Sequence, residues 1–224
     1  MKRSVLFDTE TTGLDPATGD RVIEIAALEL VGDLPTGNKF HVVLDPERDV
    51  PEEATRVHGF TQADLQGKPK FADEVERFLA FIGDDQLIAH NARFDFGFLN
   101  AELRRAGYKP LDMGRMVDTL DMARTRFPGM PNSLDALCRR FGIDLSARTT
   151  HNALLDCTLL AEVYVELMGG RQHGLGLVAD GGPAQIVTYD APVTRTVVRV
   201  TPTAEELARH AEFVGKLKEP LWLG

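Results

Sequence analysis

The sequence predicts an α/β fold, a mixed five-stranded sheet flanked by helices, followed by a flexible linker and a short helical C-terminal tail. Three observations carry this. Three strand-like runs come first, separated by short connections that favour antiparallel neighbours. Helical stripes and short apolar runs then alternate as far as Gly169-Gly170. Beyond that point periodicity is lost and returns only near the C-terminus.

Ser4-Val5-Leu6-Phe7 reads as the first strand, ending where Asp8 begins, and Thr12-Gly13-Leu14-Asp15-Pro16 as a turn. Residues 21–31 read as a second strand, with Val22, Ile23, Ile25, Ala27, Leu28 and Leu30 on mostly buried faces. Gly32-Asp33 and the run from Pro35 to Asn38 punctuate it, and residues 40–44 form a third strand closed by Asp45-Pro46. Phe71, Val75, Phe78, Leu79 and Ile82 make a helical stripe stopped by Gly83. A strand at 86–89 follows, then a helix that Asn91 is placed to cap, running to Ala106. Met116-Val117 suggests a fifth strand. Helices are expected at about 119–127, 133–141 and 152–168. This element order is compatible with the ribonuclease-H-like class.

Residues 1–170 are therefore expected to form one domain, residues 171–194 a linker, and residues 195–224 a C-terminal segment. The linker is glycine-rich and includes Gly181-Gly182-Pro183. In the segment, Thr203 and Glu206 have capping-box spacing, and Leu207, Ala211, Val214 and Leu217 recur at helical spacing.

No apolar run is long enough to cross a bilayer, and Asp8 and Glu10 interrupt any signal-like segment behind Lys2-Arg3, so a cytoplasmic protein is expected. The two cysteines, Cys138 and Cys157, fall in apolar helical contexts and suggest no disulfide. With a net charge of −9 and a pI of about 5.2, the chain has no global positive field for a polyanion. Nucleic-acid chemistry would need bound cations or a partner to supply one.

Three patterns bear chemistry. Asp8 and Glu10 stand two apart in an extended run, so both point to one face, where they repel unless a cation binds between them. Alone, the pair fits equally a solvated turn. A haloacid-dehalogenase phosphatase signature would have aspartate at both positions. Asp95 falls in the first turn of the helix after His90-Asn91, where the helix dipole also tolerates a plain acidic residue. His151 and Asp156 are five apart, about 140° around a helix, too far to share a face. His151 is therefore expected ahead of the helix, in the polar loop with Arg148-Thr149-Thr150, where a general base can approach a water and withdraw.

Taken together, Asp8, Glu10, Asp95 and Asp156, with His151 five residues before the last, resemble the histidine variant of the four-carboxylate (DEDD, DnaQ-like) exonuclease superfamily. The run Phe7-Asp8-Thr9-Glu10-Thr11-Thr12-Gly13-Leu14 matches its first motif without a break. Val57-His58-Gly59, His90-Asn91, Phe127-Pro128-Gly129 and the run from Asn132 to Cys138 are similar to the epsilon, or proofreading, subunits of bacterial DNA polymerase III. The likeness spans roughly residues 4–170.

That resemblance implies a metal-dependent 3′→5′ exonuclease that uses two divalent ions, Mg²⁺ or Mn²⁺, to hydrolyse the terminal phosphodiester and release nucleoside 5′-monophosphates. Asp8, Glu10 and Asp156 would hold one ion, Asp8 would bridge to the second, Asp95 would support the second, and His151 would be the general base. Glu53 and His58 would hold the terminal nucleotide, with Leu14 and Val57 as an apolar wedge against its base. The partners implied are a DNA primer 3′ end, the polymerase III alpha subunit and the sliding clamp. Leu207, Val214, Leu217 and Trp222 would meet the polymerase. Gln172, Leu175 and Leu177 resemble a clamp-binding pattern, with Leu177 where an aromatic is usual. A free-standing RNA or oligonucleotide exonuclease, or a non-catalytic interaction subunit, are the alternatives.

Overall fold

A computed structural model describes residues 2–148, 150–170 and 201–216. Five strands, β1 (Arg3–Thr11), β2 (Val22–Val31), β3 (Leu34–Val43), β4 (Gln86–Ala89) and β5 (Met116–Asp118), form one sheet in the order β3-β2-β1-β4-β5. β2 runs antiparallel to both of its neighbours, β1 and β3, whereas β4 pairs parallel with β1 and β5 parallel with β4. β1 is thus the middle strand, and the mixed five-stranded sheet is as expected.

The helices are α1 (Glu52–His58), α2 (Gln62–Leu65), α3 (Phe71–Ile82), α4 (Ala92–Arg105), α5 (Thr119–Arg126), α6 (Leu134–Phe141), α7 (Ala153–Leu167) and α8 (Ala204–Gly215). Alternation along β1 sorts them into two layers. Val5 and Phe7 pack in one core with Phe71, Val75 and Phe78 of α3 and Phe96 and Leu99 of α4. Leu6 packs in a second core with Ala123, Leu137, Leu160 and Val163 of α5, α6 and α7. With both faces covered, Val5, Leu6 and Phe7 are all buried. Cys138 and Cys157 are free thiols inside the second core.

Several boundaries differ from the sequence reading, each for a local reason. β1 does not end before Asp8. It continues to Thr11 because β2 pairs with it throughout, Asp8 opposite Ala26 and Glu10 opposite Glu24. β3 starts at Leu34 rather than Phe40. Gly32 and Asp33 both adopt positive φ, 58° and 69°, the two-residue hairpin turn whose twist matches the strands. Pro35 is tolerated there because β3 is an edge strand. Asn91 precedes α4 in the left-handed conformation and makes no side-chain cap. Its own N–H donates to Asp118, which also caps α5 through the N–H of Leu120.

Helices α1 and α2 were not anticipated. Each is under two turns or close to it, too short for a stripe, although Gly59 ends the first in a left-handed C-cap and Thr61 with Asp64 forms a capping box on the second. Among the described residues no helix is long and apolar enough to cross a membrane.

Contacts divide the chain into residues 1–176 and 177–224, six residues beyond the boundary expected at 170. In the second unit α8 has the expected capping box of Thr203 and Glu206. Leu207 and Val214 lie seven apart on one stripe; Leu207 is exposed and Val214 is buried. Phe213, not anticipated, is 61% exposed. Leu217, Trp222 and the clamp-like Gln172, Leu175 and Leu177 lie outside the described residues.

The start of β2 is tied to α4 by a charge pair. Arg21 donates through Nε (2.6 Å) and Nη2 (2.9 Å) to the two oxygens of Glu102, whose side chain is 1% exposed. Removing one member of such a pair strands the other in a poorly solvated place. Glu102→Ala is expected to destabilise the chain by roughly 3 kcal/mol in denaturant unfolding; a loss within experimental error would show the pair to be dispensable.

Candidate active site

The alternation that sorts the core also aims the acids. Asp8 and Glu10 follow Leu6 on the face covered by α7, while Thr9 points to the α4 face. Asp95 sits in the first turn of α4, which begins just beyond the C-terminal end of β4, and its Oδ1 accepts from Thr9 Oγ1 at 2.7 Å. Asp156 sits in the first turn of α7, and His151 precedes that helix, half exposed, with Nδ1 3.4 Å from Asp156 Oδ2. These five side chains line one cleft of about 870 Å³, together with the apolar Phe94, Leu120, Met130 and Leu134.

Two elements not read from the sequence hold this arrangement. Glu24 on β2, opposite Glu10, is fully buried. Its carboxylate lies 2.7 Å from His41 Nε2 and accepts from Asn152 Nδ2 (3.1 Å) and from the N–H of Ala153 (3.0 Å). Glu24 thereby satisfies an unpaired donor at the N-terminus of α7, where negative charge is favoured, and fixes that helix to the sheet. Arg148 donates to both oxygens of Asp156, from Nε at 2.5 Å and Nη2 at 2.8 Å, and through Nη1 to Asp135 at 2.6 Å. Its Nη2 is also 3.0 Å from His151 Nδ1.

The sequence carried a signal for Glu24, an acid enclosed by Val22, Ile23 and Ile25 in an apolar strand. For Arg148 it carried none, since only the folded loop brings it to Asp156.

Like charges in a poorly solvated cleft set the electrostatics. Burial, then the neighbouring Asp95, Glu10 and Asp156, push the Asp8 carboxyl well above the usual range. Burial and the charges of Asp156 and Glu24 push Glu10 up to about 8. Burial pushes Asp95 up to about 7 against the hydrogen bond from Thr9. Asp156 differs: burial opposes its ionisation, but the hydrogen bonds from Arg148 and His151 outweigh burial and hold it below the usual range.

Oxygen donors from several carboxylates, short of positive charge, are the donor set a hard divalent cation takes. Among the described residues, Glu10, His151 and Asp156 form one such group, with one donor atom from each lying within 4.8 Å of the others.

The substrate residues expected from sequence fall elsewhere. Leu14 (85% exposed), Val57 (47%) and Glu53 are on the surface, and none of them lines the carboxylate cleft. His58 is buried and lines a separate pocket with Thr150, Asn152 and Lys68. Its Nδ1 accepts from the N–H of Phe60, and among the described residues its Nε2 has no partner. One link joins this region to the cleft: the N–H of His151 donates to the carbonyl of Val57 at 3.0 Å.

Comparison with known proteins places this geometry. The exonuclease (RNase_T) family profile matches residues 5–164. The DNA polymerase III subunit epsilon of Rickettsia conorii is 46% identical over 96% of this chain and 96% of its own. That of Escherichia coli K12 is 42% identical over 94% of this chain and 91% of its own. Among solved structures, Exonuclease X in complex with 5′ overhanging duplex DNA superposes with a TM-score of 0.59 at 26% identity, covering 75% of this chain and 91% of that one.

The raised carboxylates give a signed pH dependence. Asp95 and Glu10 hold their protons more tightly folded, at about 7 and about 8, than at their ordinary 3.8 and 4.5. The stability linked to them is complete below the ordinary values and is lost as pH rises through 7 and 8. Thermal unfolding in chelator is therefore expected at progressively lower temperature from pH 5 to pH 8.5, and saturating Mg²⁺ should flatten that slope. A midpoint independent of pH in chelator would contradict the crowding.

Proposed function

The chain belongs to the exonuclease family, among the DNA polymerase III epsilon subunits, and from that premise we propose that its cleft proofreads DNA by 3′→5′ hydrolysis of the terminal phosphodiester. One observation carries the proposal: Asp8, Glu10, Asp95, Asp156 and His151, distant in sequence, line one cleft.

Divalent ions of the Mg²⁺ or Mn²⁺ class, when bound, supply Lewis-acid stabilisation of the phosphoryl oxygens and an acidified water. Asp8, Glu10 and Asp156 would hold one such ion, and Asp8 and Asp95 would help to hold a second. Thr9 keeps Asp95 in one orientation. His151, half exposed ahead of α7, takes the proton of the attacking water. Water oxygen bonds to phosphorus as the bond to the 3′-oxygen of the penultimate nucleotide breaks. The products are a nucleoside 5′-monophosphate and a shortened 3′ end.

Substrate handling would fall to the α1 rim. Leu14 and Val57 offer apolar side chains to a terminal base of any identity. The Nε2 of His58, which has no hydrogen-bond partner among the described residues, and the carboxylate of Glu53 are suited to the 3′-hydroxyl of the terminal sugar. The hydrogen bond from His151 to Val57 would couple that rim to the general base. An unpaired end reaches the cleft without the cost of breaking pairs, so mismatch preference needs no reading of the mismatch.

The acidic chain acts with the replicative polymerase in the cytoplasm. The alpha subunit would bind the segment from residue 195 to 224, through Leu207, Val214, Leu217 and Trp222, and the sliding clamp would bind Gln172, Leu175 and Leu177.

Combined Asp8→Ala and Glu10→Ala substitution should abolish Mg²⁺-dependent release of 5′-mononucleotides from a 3′-mismatched primer. Undiminished release would overturn the site. His151→Ala should lower turnover by about 10²–10⁴-fold in the same assay, and a change of less than threefold would remove its role as base.

A further inference from the structure

We propose that Arg148 is a resident cation of the metal-free site, locking Asp156 until divalent ions displace it toward Asp135. The inference rests on the reading of Asp156 as a metal ligand and adds a positioning residue to it.

Three features of the geometry support it. First, the lock is complete: both Asp156 oxygens accept from the planar guanidinium, at 2.5 and 2.8 Å, and no oxygen of that carboxylate is left without a cationic partner. A bidentate pair of this kind is stronger and more directional than a point-charge contact. Second, Arg148 is enclosed, its side chain 10% exposed, so it is not a surface cation that happens to reach inward. The other arginine lining the cleft, Arg124, is 64% exposed and paired with Asp121. Third, an alternative seat is already made. Nη1 is 2.6 Å from Asp135 Oδ1, and Asp135 is 39% exposed, so it can accept more of the guanidinium without further burial.

The charges then set the direction of the exchange. Without metal, the cleft holds Asp8, Glu10, Asp95 and Asp156 near one another, with the Arg148 charge beside Asp156 opposing their repulsion. Divalent ions between the same carboxylates bring more positive charge at shorter range and repel the guanidinium. Asp156 is the carboxylate they would share with Arg148, and Asp135, at the start of α6 in the wall of the same cleft, is the second carboxylate the guanidinium already touches. The same guanidinium touches His151 Nδ1 at 3.0 Å, so release from Asp156 also changes what the general base is hydrogen-bonded to.

Arg148 therefore competes with metal, and the test is metal binding by the full chain without substrate. In Mn²⁺ titration calorimetry, Arg148→Ala should bind Mn²⁺ at least fivefold more tightly than the unsubstituted chain. Asp135→Asn, which removes the alternative seat, should bind it several-fold more weakly. Arg148→Lys, which keeps the charge and loses the fork, should fall between the unsubstituted chain and Arg148→Ala. In thermal unfolding, Arg148→Ala should be less stable in chelator, with the deficit closing in saturating Mn²⁺.

Unchanged or weaker Mn²⁺ binding by Arg148→Ala, with the same stability deficit in chelator and in Mn²⁺, would overturn the lock and leave Arg148 a structural residue. If Arg148→Ala does not fold, Arg148→Lys and Asp135→Asn decide by their opposite shifts, and no shift in either overturns the proposal. Failure of the unsubstituted chain to bind Mn²⁺ would instead overturn the metal reading itself.

Discussion

Like charges brought together out of water dominate this protein. Asp8 and Glu10 leave the middle strand on one face, Asp95 enters from the start of α4 and Asp156 from the start of α7, and all four line one cleft. Two of them are nearly inaccessible, Asp95 and Asp156 at 3%. Nothing about folding favours such a cluster: each carboxylate raises the cost of ionising the others. A fold keeps it only if the rest of the structure over-determines it and if a cation is to occupy it. The architecture can be understood as meeting those two conditions.

The first condition is met by placing every acid on a fixed element. Asp8 and Glu10 are held by the β1–β2 register, with buried cores on both faces of the sheet. α7 is pinned at its N-terminus by Glu24, itself held between His41 and Asn152, so Asp156 and the loop before it cannot drift from the sheet. Thr9 uses the opposite face of the same strand to orient Asp95. A single strand thus aims two acids and steadies a third. The second condition is met in part by Arg148, the one enclosed arginine against the cluster among the described residues, and otherwise by divalent ions.

Much of this was legible in the sequence because it rests on period and spacing. The two-residue step from Asp8 to Glu10 gave a shared face, and the five-residue step from His151 to Asp156 excluded one helix face, so the histidine had to precede α7. What was not legible depends on contacts between segments far apart. Arg148 looks like any polar loop residue until the loop folds onto α7. Val214 shares a stripe with the exposed Leu207 and is nonetheless buried, which spacing alone does not reveal. α1 and α2 were missed because helices of seven and four residues show no stripe, and their signals are caps rather than periodicity. Glu24 was the one legible residue passed over, an acid in an apolar strand whose partners only the fold supplies.

The most direct measurement of the central claim is anomalous diffraction from crystals of the full chain grown with Mn²⁺. Two manganese peaks within the group of Asp8, Glu10, Asp95 and Asp156 are expected. Manganese absent from those four carboxylates, with the crystal saturated in the ion, would contradict the reading of the acidic cluster as a metal site.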